Sequence, residues 1–183
     1  TPVLSNVQTD IADDSFRITY SVKNTQSNID FFWQGIIIGK ANGAITFSMD
    51  GEARSTFRRN RIGFCILYPM ECAGVECQIE HVNGTVEQNT FPKYIAPQLI
   101  IDGKPSPVEP FSNMRALVHE VAPDLLAEVR FEGDSFEMED QRNWTDASFK
   151  TYGTPLKNPS PVEVKVGTKI SQTFALTLKG QDQ

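Results

Sequence analysis

The chain has 183 residues, 17 of them basic and 23 acidic, for a formal net charge of −6. That length suits one domain with a real core, and 39% hydrophobic with 22% charged residues is ordinary globular composition, which excludes bulk disorder. The acidic balance argues against nucleic acid, and no apolar run approaches the ~20 residues of a membrane helix, so neither a nucleic acid nor a membrane is expected as a partner.

In chain order the dominant signal is a period of two. Phe16, Ile18, Tyr20 and Val22 alternate with polar residues, which predicts a strand with one wet face. Ile36-Ile-Ile38 and Ile62-Gly-Phe-Cys-Ile-Leu-Tyr68 are continuously apolar, the pattern of buried central strands. Asn42-Gly43, Asp50-Gly51, Asn83-Gly84 and Asp102-Gly103 are hairpin-type dipeptides. Pro92, Pro97, Pro105, Pro107 and Pro110 mark a long loop or arm.

Residues 114–121 fit both helical and strand spacing. Pro123-Asp124 can turn the chain back, so a hairpin into residues 125–132 is the favoured reading. Val129 and Phe131 alternate with charged residues, as do Val162, Val164 and Val166. Pro155, Pro159 and Pro161 mark a second loop, and Phe174, Leu176 and Leu178 form a last alternating strand. Many short strands and almost no long helix predict an all-β fold, a single antiparallel β-sandwich domain over residues 1–183 with little helix.

Cys65, Cys72 and Cys77 are an odd set and a poor disulfide framework. Three reduced thiols in a cytoplasmic protein are expected, with a Cys72–Cys77 bridge as the alternative. The first residue is Thr1, not Met, so a fragment of a longer multi-domain protein is also expected.

The richest chemistry lies in residues 136–150. Alternation puts Phe136 and Met138 on one face and Glu137 and Glu139 on the other, about 7 Å apart along a strand. Neighbouring carboxylates suit a general acid and base, and Arg142 or Lys150 can hold one ionised or stabilise an oxyanion. Asp140, Asn143 and Asp146 surround Trp144, the mix of amide, acid and ring that sugars call for. No cofactor is expected, although a divalent cation on Glu137, Glu139 and Asp140 is chemically conceivable. Upstream, Arg58, Arg59 and Arg61 offer forked donors for a carboxylate or phosphate. His81 and His119 lack metal-spaced partners, but His81 can serve as an acid or base. A serine-hydrolase elbow and a phosphate-cradling loop are both missing.

Three segments carry a family resemblance. Gly51-Glu-Ala-Arg-Ser-Thr-Phe-Arg-Arg-Asn-Arg-Ile-Gly-Phe-Cys65, His81-Val-Asn-Gly84 and Phe131-Glu-Gly-Asp-Ser-Phe-Glu-Met-Glu-Asp-Gln-Arg-Asn-Trp-Thr-Asp-Ala-Ser-Phe-Lys-Thr-Tyr152 resemble the D-apionate lactonase family. The likeness covers roughly residues 50–178 and leaves the first third unassigned. It implies a sugar-acid lactone opened by water to D-apionate, in bacterial catabolism of the branched sugar apiose. It also implies longer relatives with a barrel domain, so this chain corresponds to one β-rich domain that contacts another. Gly153 stands where the resemblance leads one to expect Cys. Gln98-Leu-Ile-Ile stands where a compact Pro-His-Gln-Pro-like loop is expected.

The leading expectation is therefore a lactonase, a carboxylic ester hydrolase, or its β-domain. Glu137 or Glu139 would activate water, Arg142 and Lys150 would stabilise the oxyanion, and His81 would protonate the leaving alkoxide. Asn143, Trp144, Asp146, Asp140, Arg59 and Arg61 would bind the sugar or sugar-acid lactone. One rival is a non-catalytic carbohydrate-binding accessory domain, and another is a mutarotase-like epimerase, with a piece of a supersandwich as its fold. The readings differ in what they require. An enzyme needs a deep pocket with a perturbed carboxylate near Arg142. A binding module needs a flat or grooved face with Trp144 or Phe32 exposed. A purely structural domain buries Trp144 and pairs both glutamates with arginines.

Overall fold

The computed structural model describes residues 2–96, 100–101, 104–105, 109–155 and 160–180. Four long strands open the chain as a meander: β1 (Val3–Ile11), β2 (Ser15–Gln26), β3 (Ile29–Lys40) and β4 (Ile45–Ala53). Then come β5 (Phe57–Arg59), β6 (Cys65–Pro69), β7 (Glu76–His81), β8 (Val86–Thr90), and the short pair β9 (Ile100–Ile101) and β10 (Lys104–Pro105). The last third holds β11 (Phe111–Ala122), β12 (Leu125–Glu132), β13 (Phe136–Asp140), β14 (Ser148–Gly153), β15 (Val162–Val164) and β16 (Lys169–Gly180). Two single 3-10 turns, Met70–Cys72 and Gln141–Trp144, are the helical content among the described residues. The fold is the all-β antiparallel sandwich expected from the alternation.

β16 inserts between β4 and β12, so the large sheet runs β1-β2-β3-β4-β16-β12-β11 and continues through β7 to β8. β11 forks. Ala116 faces Arg130 on one edge and Glu80 on the other, while Met114 faces Phe136 and His81. β12 and β13 therefore share one edge of β11 in succession, and β13 leads away into a second, smaller layer, β13-β14-β6. Rings lock the two layers together: Phe131 stacks on Phe136 at 4.6 Å, Phe64 meets Phe47 at 4.7 Å, and Phe91 meets Phe149 at 5.2 Å. Gln172 of β16 supplies the polar link, accepting from the Phe64 amide at 3.0 Å and donating to the Ile62 carbonyl at 3.2 Å. Its amide also fills the space beside Gly153, where a Cβ would lie 2.7 Å from Oε1. Gly153, where the resemblance led one to expect Cys, is thus matched to a glutamine on the facing layer.

The hairpin reading of residues 114–132 holds, with Asp124 at φ 61° in the turn between β11 and β12. Asn42-Gly43 and Asn83-Gly84 also turn, with positive φ at each glycine. Asp50-Gly51 does not, because it lies inside β4, paired on both sides. Gly51 is needed there for a different reason: the Phe31 ring lies across it, 2.3 Å from where a Cβ would stand. The apolar run at residues 62–68 is likewise not a central strand. β6 is the edge of the small layer, with Phe64 and Tyr68 inside and Cys65 and Leu67 exposed. The strand expected through Val166 stops at Val164, and Val166 is exposed. Pro97, Gln98, Asp102-Gly103, Pro107 and Pro159 lie outside the described residues. Among the described residues all three cysteines are free, and no helix is long and apolar enough to cross a membrane.

His119 sits in the core between Phe91 at 5.5 Å and Tyr68 at 5.7 Å. Burial lowers its pKa below the usual histidine value. Below pH ~6.5 the unfolded chain takes up a proton that the folded chain refuses, so stability falls as pH drops from ~6.5 toward the folded pKa. Urea midpoints across that window should show this slope in the wild type and lose it in His119→Gln. An unchanged slope would remove His119 as its source.

Candidate functional site: an arginine shared by a carboxylate pair and an aromatic groove

Alternation along β13 works as the sequence predicts. Phe136, Met138 and Asp140 point into the core, and Glu137 and Glu139 point to the other side of the small layer. Register extends that second face across the layer: Glu137 lies beside Tyr152 and then Cys65, and Glu139 lies beside Lys150 and then Leu67. Arg61, from the connection between β5 and β6, closes over this face. Its Nη2 donates to Glu137 Oε1 at 2.6 Å and to Glu139 Oε1 at 2.5 Å. Its Nε donates to the Thr154 carbonyl at 3.2 Å, and the guanidinium lies 4.2 Å above the Tyr152 ring. The two carboxylate side chains are left 1% and 7% exposed. Burial alone would lower the Arg61 pKa, but the hydrogen bonds and charges of Glu139 and Glu137 outweigh it and raise it. Glu139 Oε2 accepts a further bond from Gln141 Nε2 at 2.7 Å. Burial pushes the Tyr152 hydroxyl up to about 12.

Other expected site residues lie around this centre or away from it. Lys150 shares the face of Glu139 but pairs with Asp146, whose carboxylate also accepts from the Ser148 hydroxyl at 2.7 Å. That pairing raises the Lys150 pKa and lowers that of Asp146. Arg59 donates to Thr154 Oγ1 at 3.1 Å, one residue's reach from Arg61. Asp140 lies on the opposite face of β13, fully buried, and forks with Arg142 through bonds of 2.8 and 2.7 Å. Arg142 is 8% exposed; it also binds the Pro92 carbonyl at 2.7 Å and stacks 4.5 Å from Phe149. The Asp140 bond raises the Arg142 pKa. Asn143 donates to the Asp140 carbonyl at 3.0 Å, while Trp144 stands 41% exposed at the end of the turn. His81 lies at the end of β7, against the Ser112 carbonyl at 3.0 Å and Glu87 at 3.6 Å, apart from the carboxylate pair.

Arg61 also lines a groove of about 600 Å³ between the meander and residues 57–65. Its floor is Phe31, Trp33, Phe47 and Met49, and its roof includes Phe57 and Phe64. Trp33 is held by its indole N–H, which donates to Asn24 Oδ1 at 3.1 Å, and by an edge contact with Tyr20 at 5.5 Å. Arg58, Arg59 and Asn60 complete the wall. Phe31, Trp33 and Asn24 are site residues that the sequence did not single out. Their signal is the Phe31-Phe-Trp33 run, whose alternation sends Phe31 and Trp33 to the same side.

Among the described residues no three histidine, cysteine or acidic side chains are arranged to hold a metal ion. The Glu137–Glu139–Asp140 cation site fails because Asp140 faces the core, paired with Arg142, while the glutamates share Arg61. Against the three requirements set by sequence, the glutamates are paired with arginine, Trp144 is exposed, and the groove is lined by Arg61 and not by Arg142.

Comparison with known proteins gives a consistent picture. The profile of the D-apionate lactonase N-terminal domain matches residues 1–181, so the first third, unassigned by resemblance, belongs to the match. A D-apionate lactonase of Brucella anthropi is 37% identical over 97% of this chain, and the chain spans 28% of that relative's length. A putative aldose 1-epimerase of Escherichia coli K12 superposes with a TM-score of 0.53 at 12% identity, covering 97% of this chain and 69% of that one. A galactose 1-epimerase of Lactobacillus acidophilus superposes with a TM-score of 0.52 at 6% identity, covering 97% and 67%. At those identities the likeness is one of fold, a mutarotase-like sandwich.

Proposed function

Because the chain belongs to the D-apionate lactonase N-terminal domain family, we propose that it is the β-domain of a sugar-acid lactone hydrolase and that it holds the substrate in the groove. The observation that carries this reading is Arg61. It is fixed by two carboxylates on one side and lines an aromatic-floored groove on the other. Rings pack against the carbon faces of a sugar, and amides and forked guanidinium groups meet its hydroxyls and acid oxygens. Asn24 and Asn60 supply the amides. A carboxylate already bound to a guanidinium and closed from water is a weak general base, which favours a holding role for Glu137 and Glu139. The base then comes from elsewhere in a longer polypeptide, in keeping with the relative's greater length. The substrate class is the lactone of a short sugar acid, the class that the relative's name, D-apionate lactonase, points to.

The test is titration of the 183-residue chain with a panel of aldonolactones, followed by Trp fluorescence, alongside a pH-release assay for hydrolysis. Binding without hydrolysis is expected, with Trp33→Ala weakening affinity about tenfold, ~1.4 kcal/mol. Hydrolysis by this chain that disappears in Glu139→Gln would instead make Glu139 the water-activating base. Absence of binding would remove the groove from the reading.

A further inference from the structure

We propose that the groove selects an organic anion: the ring-opened hydroxy-carboxylate, ahead of its neutral lactone. The inference rests on the reading of the groove as the sugar-acid site and deepens it by naming the ligand's charge. Three arginines and, among the described residues, no aspartate or glutamate line the groove, in a chain whose net charge is −6. The three differ in how far they are satisfied. Arg61 is answered by Glu137 and Glu139. Among the described residues Arg58 bonds to a neutral acceptor, the Pro161 carbonyl at 3.1 Å. Arg59 gives one nitrogen to the Thr154 hydroxyl at 3.1 Å, and that hydroxyl turns to Asp134 at 2.5 Å. Its Nε is buried with no hydrogen-bond partner.

A buried donor without a partner is costly, and a charged acceptor repays it best. A carboxylate offers two oxygens in the plane of the guanidinium fork, whereas a lactone carbonyl offers one neutral oxygen. Phe57 and Phe64 line the groove beside the arginines and offer ring faces to the carbon skeleton. The groove therefore grips the acid more firmly after ring opening than before it, and release of the anion becomes a step of its own.

The experiment is calorimetric titration of the 183-residue chain with gluconate as the aldonate probe and with sorbitol, the neutral alditol of the same skeleton. Each is run at low and high salt, in wild type, Arg59→Gln and Arg59→Lys, with circular dichroism to confirm folding. Gluconate should bind at least about tenfold more tightly than sorbitol at low salt, and the gap should narrow with salt. Arg59→Gln should close most of the gap, and Arg59→Lys should restore only part of it. Equal affinity for the two ligands, or a full gap in folded Arg59→Gln, overturns the anion inference and leaves the groove reading standing. If neither ligand nor any lactone binds, both fall together.

Discussion

Arg61→Met is expected to cost about 3–5 kcal/mol of unfolding free energy, because removing one partner of a buried ion pair leaves the other charge uncompensated. Here one removal takes the shared guanidinium from two carboxylates, 1% and 7% exposed, that lie on the same face of one strand. For a domain of this size that corresponds to a drop in Tm of roughly 10 °C. Arg61→Lys should recover only part, since a single ammonium lacks the planar fork and the stacking on Tyr152. Combining Arg61→Met with Glu137→Gln and Glu139→Gln removes the charges together and should lose less than Arg61→Met alone. Urea unfolding followed by tryptophan fluorescence measures all four chains. An Arg61→Met variant within about 1 kcal/mol of wild type would show that Arg61 is not what holds the pair.

Asp140→Ala is the second large effect, again about 3–5 kcal/mol. Asp140 has no exposure, and its carboxylate takes both bonds of the Arg142 fork and also the Arg142 backbone amide at 3.2 Å, which caps the Gln141–Trp144 turn. Without it, a guanidinium that is 8% exposed keeps, among the described residues, the Pro92 and Lys93 carbonyls and the Phe149 ring. Arg142→Met should cost a similar amount by stranding Asp140, and the double variant should cost clearly less than the two added together. Because Arg142 also ties down residues 92–93, limited proteolysis should become faster there in both single variants. Additive losses, or unchanged cleavage, would separate the pair from that loop.

Local pattern carried much of this architecture. Five residues of strict alternation were enough to place Glu137 and Glu139 on one face and Asp140 on the other. The Pro123-Asp124 turn was enough to choose strands over a helix for residues 114–132. Local pattern failed where a distant partner decides. Asp50-Gly51 has hairpin chemistry, yet strands on both sides hold it extended. Residues 62–68 are apolar enough for a central strand, but only β14 arrives to pair with β6. The arginine cluster and the acidic run were each visible by composition. That Arg61 reaches Glu137 across 76 residues, and also borders a groove floored by Trp33, is a property of the packed sheets and leaves no spacing to read.

The insertion of β16 between β4 and β12 sets the order in which the molecule can be made. The β1–β4 meander is built from neighbouring hairpins and can close early, within microseconds to milliseconds for local contacts. Its inner edge, β4, then has no partner until β16 arrives; Ser48 and the Thr173 that bonds to it are 125 residues apart. During synthesis at about 5–20 residues per second, that edge stays open for several seconds or more. Throughout that interval β4 presents bare backbone and the half-buried Phe47 ring. The nascent chain is most open to mispairing or chaperone capture in that window, and loss of residues 169–180 would leave it there permanently.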